Sequence, residues 1–238
     1  MALPKLNNDT PTYEWIIPST KKSVRFRPFL VKEQKNLLIA MESKDAKQIL
    51  NSMLSCLDSC VEGINTNDLA TFDVDYMFTQ IRSKSVGEIS EIMTNCANCN
   101  HQNKVSVDLS KIDMNAESVK ETIIPITDKI SVKMKYPTYK DMMENEKLFS
   151  DEANVVDVIF ETLISCMHSI QTEEENILLK DESKEEIENF VNSLTNEQLD
   201  KINAFVDNMP NLSHEEHYKC EECGEDGILE LKGLQDFF

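Results

Sequence analysis

Apolar residues recur at helical spacing in two stretches of the chain. Ile49, Leu50, Met53, Leu54, Leu57, Cys60, Val61 and Ile64 form one stripe; Val155, Val156, Ile159, Leu163, Cys166, Met167 and Ile170 form another. A 3.6-residue period predicts two core helices, each burying one face. Cys60 and Cys166 lie on those stripes and read as small buried hydrophobes. A period of two marks Ser23-Val-Arg-Phe-Arg-Pro28 and Ser131-Val-Lys-Met-Lys-Tyr-Pro137 as strands, each stopped by proline ahead of a Lys/Glu-rich helical stretch. Thr12-Tyr-Glu-Trp-Ile-Ile-Pro18 supplies a hairpin partner for the first. In that hairpin Val24 and Phe26 point inward, while Arg25 and Arg27 share the outer face. Ser183-Lys-Glu-Glu186 and Thr195-Asn-Glu-Gln198 fit capping boxes. They open helices with apolar faces Ile187, Phe190, Val191, Leu194 and Leu199, Ile202, Phe205, Val206, the second ended by Pro210.

These elements come twice. The strand at Ser23 returns 108 residues later at Ser131, and Leu57-Asp-Ser-Cys60 returns as Leu163-Ile-Ser-Cys166 at an offset of 106. Each half then ends in a C-x-x-C knuckle, Cys96-Ala-Asn-Cys99 and Cys220-Glu-Glu-Cys223, at an offset of 124. The longer second half carries an acidic segment over 173–188, which reads as a solvated face or mobile connection. The expected organisation is a first half over 1–112 and a second over 113–238, forming one joint domain.

Both knuckles are followed by polar turn residues and an alternating strand, Lys104-Val-Ser-Val-Asp-Leu109 and Ile228-Leu-Glu-Leu231. Two such turns, each offering two thiolates, suit a closed tetrahedral zinc site, so Cys96, Cys99, Cys220 and Cys223 are the expected ligands of one structural zinc ion. A stretch of 120 residues separates the pairs, so the fold must close a split ribbon. The expected fold is α+β, with internally duplicated strand-helix units closed by a split zinc-ribbon-like four-cysteine site. His101, His214 and His217 lie near the knuckles but read as solvated residues. A thioredoxin-like redox role is disfavoured, because neither pair opens a helix after a strand. Cys56 reads as a structural thiol.

Composition narrows the function. The 43 acidic residues against 24 basic ones give a net charge of -19, which repels nucleic acid and anionic membranes. Five glycines include no phosphate-binding loop. No apolar run reaches membrane-spanning length, and the N-terminus lacks a signal-peptide pattern, so a reducing cytosol is expected and the seven cysteines call for a role other than disulfides. Neither a nucleophile elbow nor a His-Glu-x-x-His helix is present, and no enzymatic activity or small-molecule substrate is expected.

Pro18-Ser19 followed by Arg25-Phe26-Arg27-Pro28-Phe29 resembles the short signature of the baseplate hub proteins of T-even-type tailed phages, with Thr20 where the signature has lysine and Lys21 next to it. Phe72-Asp-Val-Asp-Tyr-Met-Phe-Thr-Gln-Ile-Arg82 and the turn ending at Gly87 are similar to the same family. The resemblance implies a non-enzymatic hub subunit or hub assembly factor, found in the virion tail baseplate and in host cytoplasm during assembly. Its partners would be other baseplate hub or tail proteins. Arg25 and Arg27, with the acidic segment 173–188, are the expected docking surfaces. The competing reading is a zinc-ribbon transcription-related factor that binds polymerase or nucleic acid.

Overall fold

The computed structural model describes residues 10–112, 114, 122–145 and 154–232; the N-terminal start and the cut between 112 and 113 fall at or beyond the edge of the described residues. The fold is α+β. Among the described residues ten strands, β1 (Tyr13–Ile16), β2 (Ser23–Phe26), β3 (Ile89–Asn95), β4 (Gln102–Asp108), β5 (Ile123–Pro125), β6 (Ser131–Met134), β7 (Met167–Gln171), β8 (Asn176–Leu178), β9 (Ser213–Lys219) and β10 (Asp226–Lys232), form small antiparallel sheets. The α-helices among the described residues are α1 (Val31–Ser43), α2 (Ala46–Cys60), α3 (Thr71–Val86), α4 (Tyr139–Glu144), α5 (Val155–Ser165), α6 (Lys184–Asn192) and α7 (Asn196–Asp207).

Two compact units result. One comprises Met1–Thr66, Phe72–Met114 and Leu212–Phe238, the other Asn67–Thr71 and Asn115–Asn211. The division therefore differs from a cut at 112/113, because the last hairpin, β9–β10, belongs with the first hundred residues. The reason is side-chain burial: Leu212 and Leu231 share one core with Val105, Val107, Leu109 and Ile112. The other unit packs α5, α6 and α7 on the sheet β5-β6-β7-β8, around Val132, Met134, Leu163, Ile202 and Phe205.

Within each unit the same bonds recur at offsets of 106 to 109 residues. Trp15 pairs with Val24, and Ile124 with Val132. Arg27 N–H donates to Cys60 O at 2.9 Å, and Lys135 N–H to Cys166 O at 2.7 Å. Leu30 N–H donates to the Glu33 carboxylate at 2.8 Å, and Thr138 N–H to that of Asp141 at 3.1 Å, so a carboxylate three residues on caps the same backbone N–H in both, while only Thr138 has a side chain that returns the bond. The cation follows suit: Arg27 pairs with Glu33 at 3.1 Å, and Lys135 with Asp141 at 2.9 Å.

The sequence stripes run past the ends of their helices. Helix α2 stops at Cys60, and Val61 bridges Phe26 of β2. Helix α5 stops at Ser165, and Met167 and Ile170, read as helical from their spacing, lie in β7. In both places the backbone turns away to hydrogen-bond a strand, and a side chain at the next apolar position stays in the core under either conformation. The first turns of α5 are less buried than the stripe implies, with Val155 74%, Val156 61% and Ile159 54% exposed. Helices α6 and α7 begin on Ser183 and Thr195 as their capping boxes require. The acidic stretch 173–188 includes β8, a short 3-10 turn and the start of α6; its carboxylates face solvent apart from half-buried Glu188, while Leu179 is buried.

Candidate metal centre

Each knuckle sits at the tip of a hairpin. Asn95 pairs with Gln102 at the end of β3–β4, and Lys219 with Asp226 at the end of β9–β10, so the two tips share one register. The turns are also alike. Cys96 N–H donates to His101 O and Asn100 N–H to Cys96 O, while Cys220 N–H donates to Glu225 O and Gly224 N–H to Cys220 O. Asn100 and Gly224 both take the left-handed backbone needed to close such a turn, at φ 57° and 72°.

All four sulfurs lie within 4.8 Å of one another, with no histidine in the group among the described residues. Cys96 Sγ is 3.8 Å from Cys223 Sγ, and Cys99 Sγ is 3.6 Å from Cys220 Sγ. A tetrahedral ion held by four thiolates at about 2.3 Å requires sulfur–sulfur edges of about 3.8 Å, and the donor set fits it. The two close pairs exchange under the 124-residue offset, as a pseudo-two-fold axis through the sulfurs demands. Cys96 and Cys220 are buried, Cys99 and Cys223 exposed.

The surroundings favour thiolate at one corner. Cys220 is held down at about 6, chiefly by the Cys223 backbone N–H, with the Glu222 N–H and the Asn103 carboxamide adding to it. Cys99 accepts the His101 N–H, which lowers its pKa, yet desolvation and the three neighbouring thiols push it up to about 12.

Asn103, which stands outside both C-x-x-C motifs, joins the two hairpins. Its side chain, 2% exposed, donates to Cys220 Sγ at 3.6 Å and to His101 O at 3.0 Å, and accepts the Glu221 N–H at 3.0 Å. The signal was present in the sequence: Asn103 occupies an inward position of β4, ahead of Val105 and Val107, where a lone amide demands partners.

The other singled-out residues lie away from the sulfurs. Arg25 pairs with Glu14 across the exposed face of β1–β2 at 3.1 Å. Arg27 is turned inward, 22% exposed, donating to Glu33, Pro28 O and Ser59 O. Cys56 and Cys60 are buried in α2, and burial pushes Cys166 up to about 11. His214 contacts Glu216 at 3.1 Å along β9.

Comparison with known proteins follows the same course. The profile of the family described as "T4 bacteriophage base plate protein" matches residues 10–238. The chain is also similar to the "Baseplate hub assembly protein gp26" of Enterobacteria phage T4, 21% identical over 226 residues that span 95% of this chain and 97% of that protein. No solved structure gives a significant match. Nothing in these comparisons favours a transcription-related factor. Since the family match runs from the first hairpin through the second knuckle and omits no described element, the chain belongs to the T4 bacteriophage base plate protein family.

Proposed function

We propose that this protein is a non-enzymatic hub subunit or hub assembly factor, working in the tail baseplate and, during assembly, in host cytoplasm by binding other baseplate hub or tail proteins. The observation that carries this reading is the end-to-end similarity to a protein named for baseplate hub assembly. Among the described residues no helix is long and apolar enough to cross a membrane, and the charge of -19 disfavours nucleic acid as a ligand.

Zinc, bound by Cys96, Cys99, Cys220 and Cys223, is the structural ion of this reading. Two hairpins far apart in sequence meet at their tips, and a closed thiolate site there adds on the order of 10 kcal/mol to folding. The four bonds tie the hairpin β9–β10 to the hairpin β3–β4 within the unit that holds both knuckles. Arg25, exposed on the first hairpin, and the acidic face over 173–188 present opposite charges to partners. Arg27 reaches that surface mainly by fixing the hairpin through Glu33.

Elemental analysis of the purified protein should give one zinc per chain. Cobalt substitution should produce thiolate charge-transfer bands that disappear in Cys96→Ser and Cys220→Ser. A metal-free, fully folded chain would remove zinc from the reading. The assembly role is tested by deleting the coding sequence from the phage: tails should stop before a complete hub, and mass spectrometry of mature particles distinguishes a resident subunit from a departing factor.

A further inference from the structure

Helix α1 turns its large apolar residues outward. It buries Glu33 and Ala40, whereas Leu38 and Ile39 are 55% and 56% exposed, and Val31 and Met41 are exposed as well. A surface helix that buries a carboxylate and exposes aliphatic side chains leaves apolar area for a second surface to cover. Lys35, Leu38, Ile39 and Glu42 follow one another at spacings of three, one and three residues, which sets all four on that outer face. Elsewhere exposed helix charges stand four residues apart and pair within their own helix, Lys84 with Glu88 and Lys140 with Glu144. Lys35 and Glu42 are two turns apart, about 10 Å along the axis, beyond the spacing at which side chains of one helix meet. Among the described residues neither is in an ion pair.

The order of these residues is its own antiparallel complement. Lys32 and Lys35 precede the Leu38–Ile39 centre by the same intervals at which Asp45 and Glu42 follow it. A two-fold axis between Leu38 and Ile39 therefore sets Lys35 of one copy against Glu42 of the other and Lys32 against Asp45, each contact formed twice. Leu38 of each copy then meets Ile39 of the other. Asp45 is fixed at its end of the face as the N-cap of α2, accepting the N–H groups of Lys47 and Gln48. A parallel pairing would instead set lysine on lysine and glutamate on glutamate. The second repeat does not carry the pattern: at the offset of 108 that relates Glu33 to Asp141, the residues matching Lys35, Leu38 and Ile39 are Met143, Glu146 and Lys147. We propose that the outer face of α1 is a homodimer interface on which two copies of this chain pair antiparallel. Contact along one 13-residue helix is at the small end of specific interfaces, so the dimer is weak, half-associated on the order of tens of micromolar. The pairing involves no other baseplate protein and stands apart from the hub reading.

Sedimentation equilibrium of the purified full-length protein, from micromolar to submillimolar concentration, should show a monomer–dimer equilibrium that weakens with added salt. Lys35→Glu and Glu42→Lys each put like charges at both Lys35–Glu42 contacts and should weaken self-association about tenfold. Both positions are exposed, so melting should stay as in the parent. Mixed in equal amounts, the two variants regain opposite charges at both contacts, and the mixture should dimerise as the parent does. The exchanged variant Lys35→Glu/Glu42→Lys should do so on its own, at unchanged net charge. Leu38→Lys should abolish association. A parent that is monomeric throughout would overturn the dimer, as would an association indifferent to all of these changes. Loss of association in the single variants that neither the mixture nor the exchanged variant restores would overturn the antiparallel pairing. A monomeric parent that binds another hub protein and loses it on Leu38→Lys would assign the face to that protein and overturn the second copy as its occupant.

Discussion

At the residue scale, buried polar side chains do more than the surface charges. Glu33 is 4% exposed; burial alone would raise its pKa, but the Leu30 N–H, Arg27 and Lys32 outweigh it and hold the carboxylate below its ordinary 4.5. A depressed carboxylate contributes stability above its ordinary value and loses it as pH falls through the depressed one. Glu33→Gln should therefore be less stable than the parent near neutral pH, and the gap should close as pH drops below 4.5 in urea titrations at several pH values. A gap that widens in acid would reverse the assignment. Asn103→Ala leaves the Glu221 N–H and the Cys220 sulfur without that amide. It should cost about 2 kcal/mol of stability and lower zinc affinity about 10- to 100-fold, read by competition with a chromophoric chelator. Arg25 and Arg27 looked equivalent in the sequence because alternation reports direction and not reach. Arg27 lies one residue past β2, and its guanidinium folds back to two carbonyls and a buried carboxylate.

At the scale of elements, capping boxes predicted starts well and periodicity predicted ends poorly. Ser183 and Thr195 satisfy the first backbone N–H groups by local chemistry, so the start of a helix is written within four residues. The end of α5 is set by a hydrogen bond from Lys135, 31 residues away in sequence, which no local pattern contains. The stripe on α5 also has unequal weight along its length. Val156→Lys, at an exposed position, should change stability by less than about 0.5 kcal/mol, whereas Leu163→Ala, at 2% exposure, should cost about 2–4 kcal/mol in chemical denaturation. Equal costs at both positions would mean the first turn of α5 is covered.

At the scale of the molecule, the chain's last hairpin completes a core begun in its first hundred residues. A fragment ending near residue 112 lacks Leu212 and Leu231 from that core and half of the sulfurs. Neither it nor the remainder should hold zinc alone, and mixing the two should restore both metal binding and a cooperative melt. Independent cooperative melting of both pieces would contradict the joint domain. The repeat was legible as offsets of 108, 106 and 124, because side-chain types at strand, helix end and knuckle survive in both copies. The matching carboxylate caps on the N–H groups of Leu30 and Thr138 were not, since Leu30 has no capping side chain and only Glu33 reveals the role.

The sequence by itself determined the α+β class, the two knuckles, the hairpin of Arg25 and the starts of α6 and α7, all of which depend on contacts within about a dozen residues. Tertiary structure alone decided that sulfurs 120 residues apart converge, that Asn103 bridges their hairpins while the Tyr218 ring lies over Gly227, and that the C-terminal strands join the N-terminal unit. Those outcomes depend on long-range burial and on which backbone groups remain unpaired once the local elements have formed, and a linear pattern does not encode either.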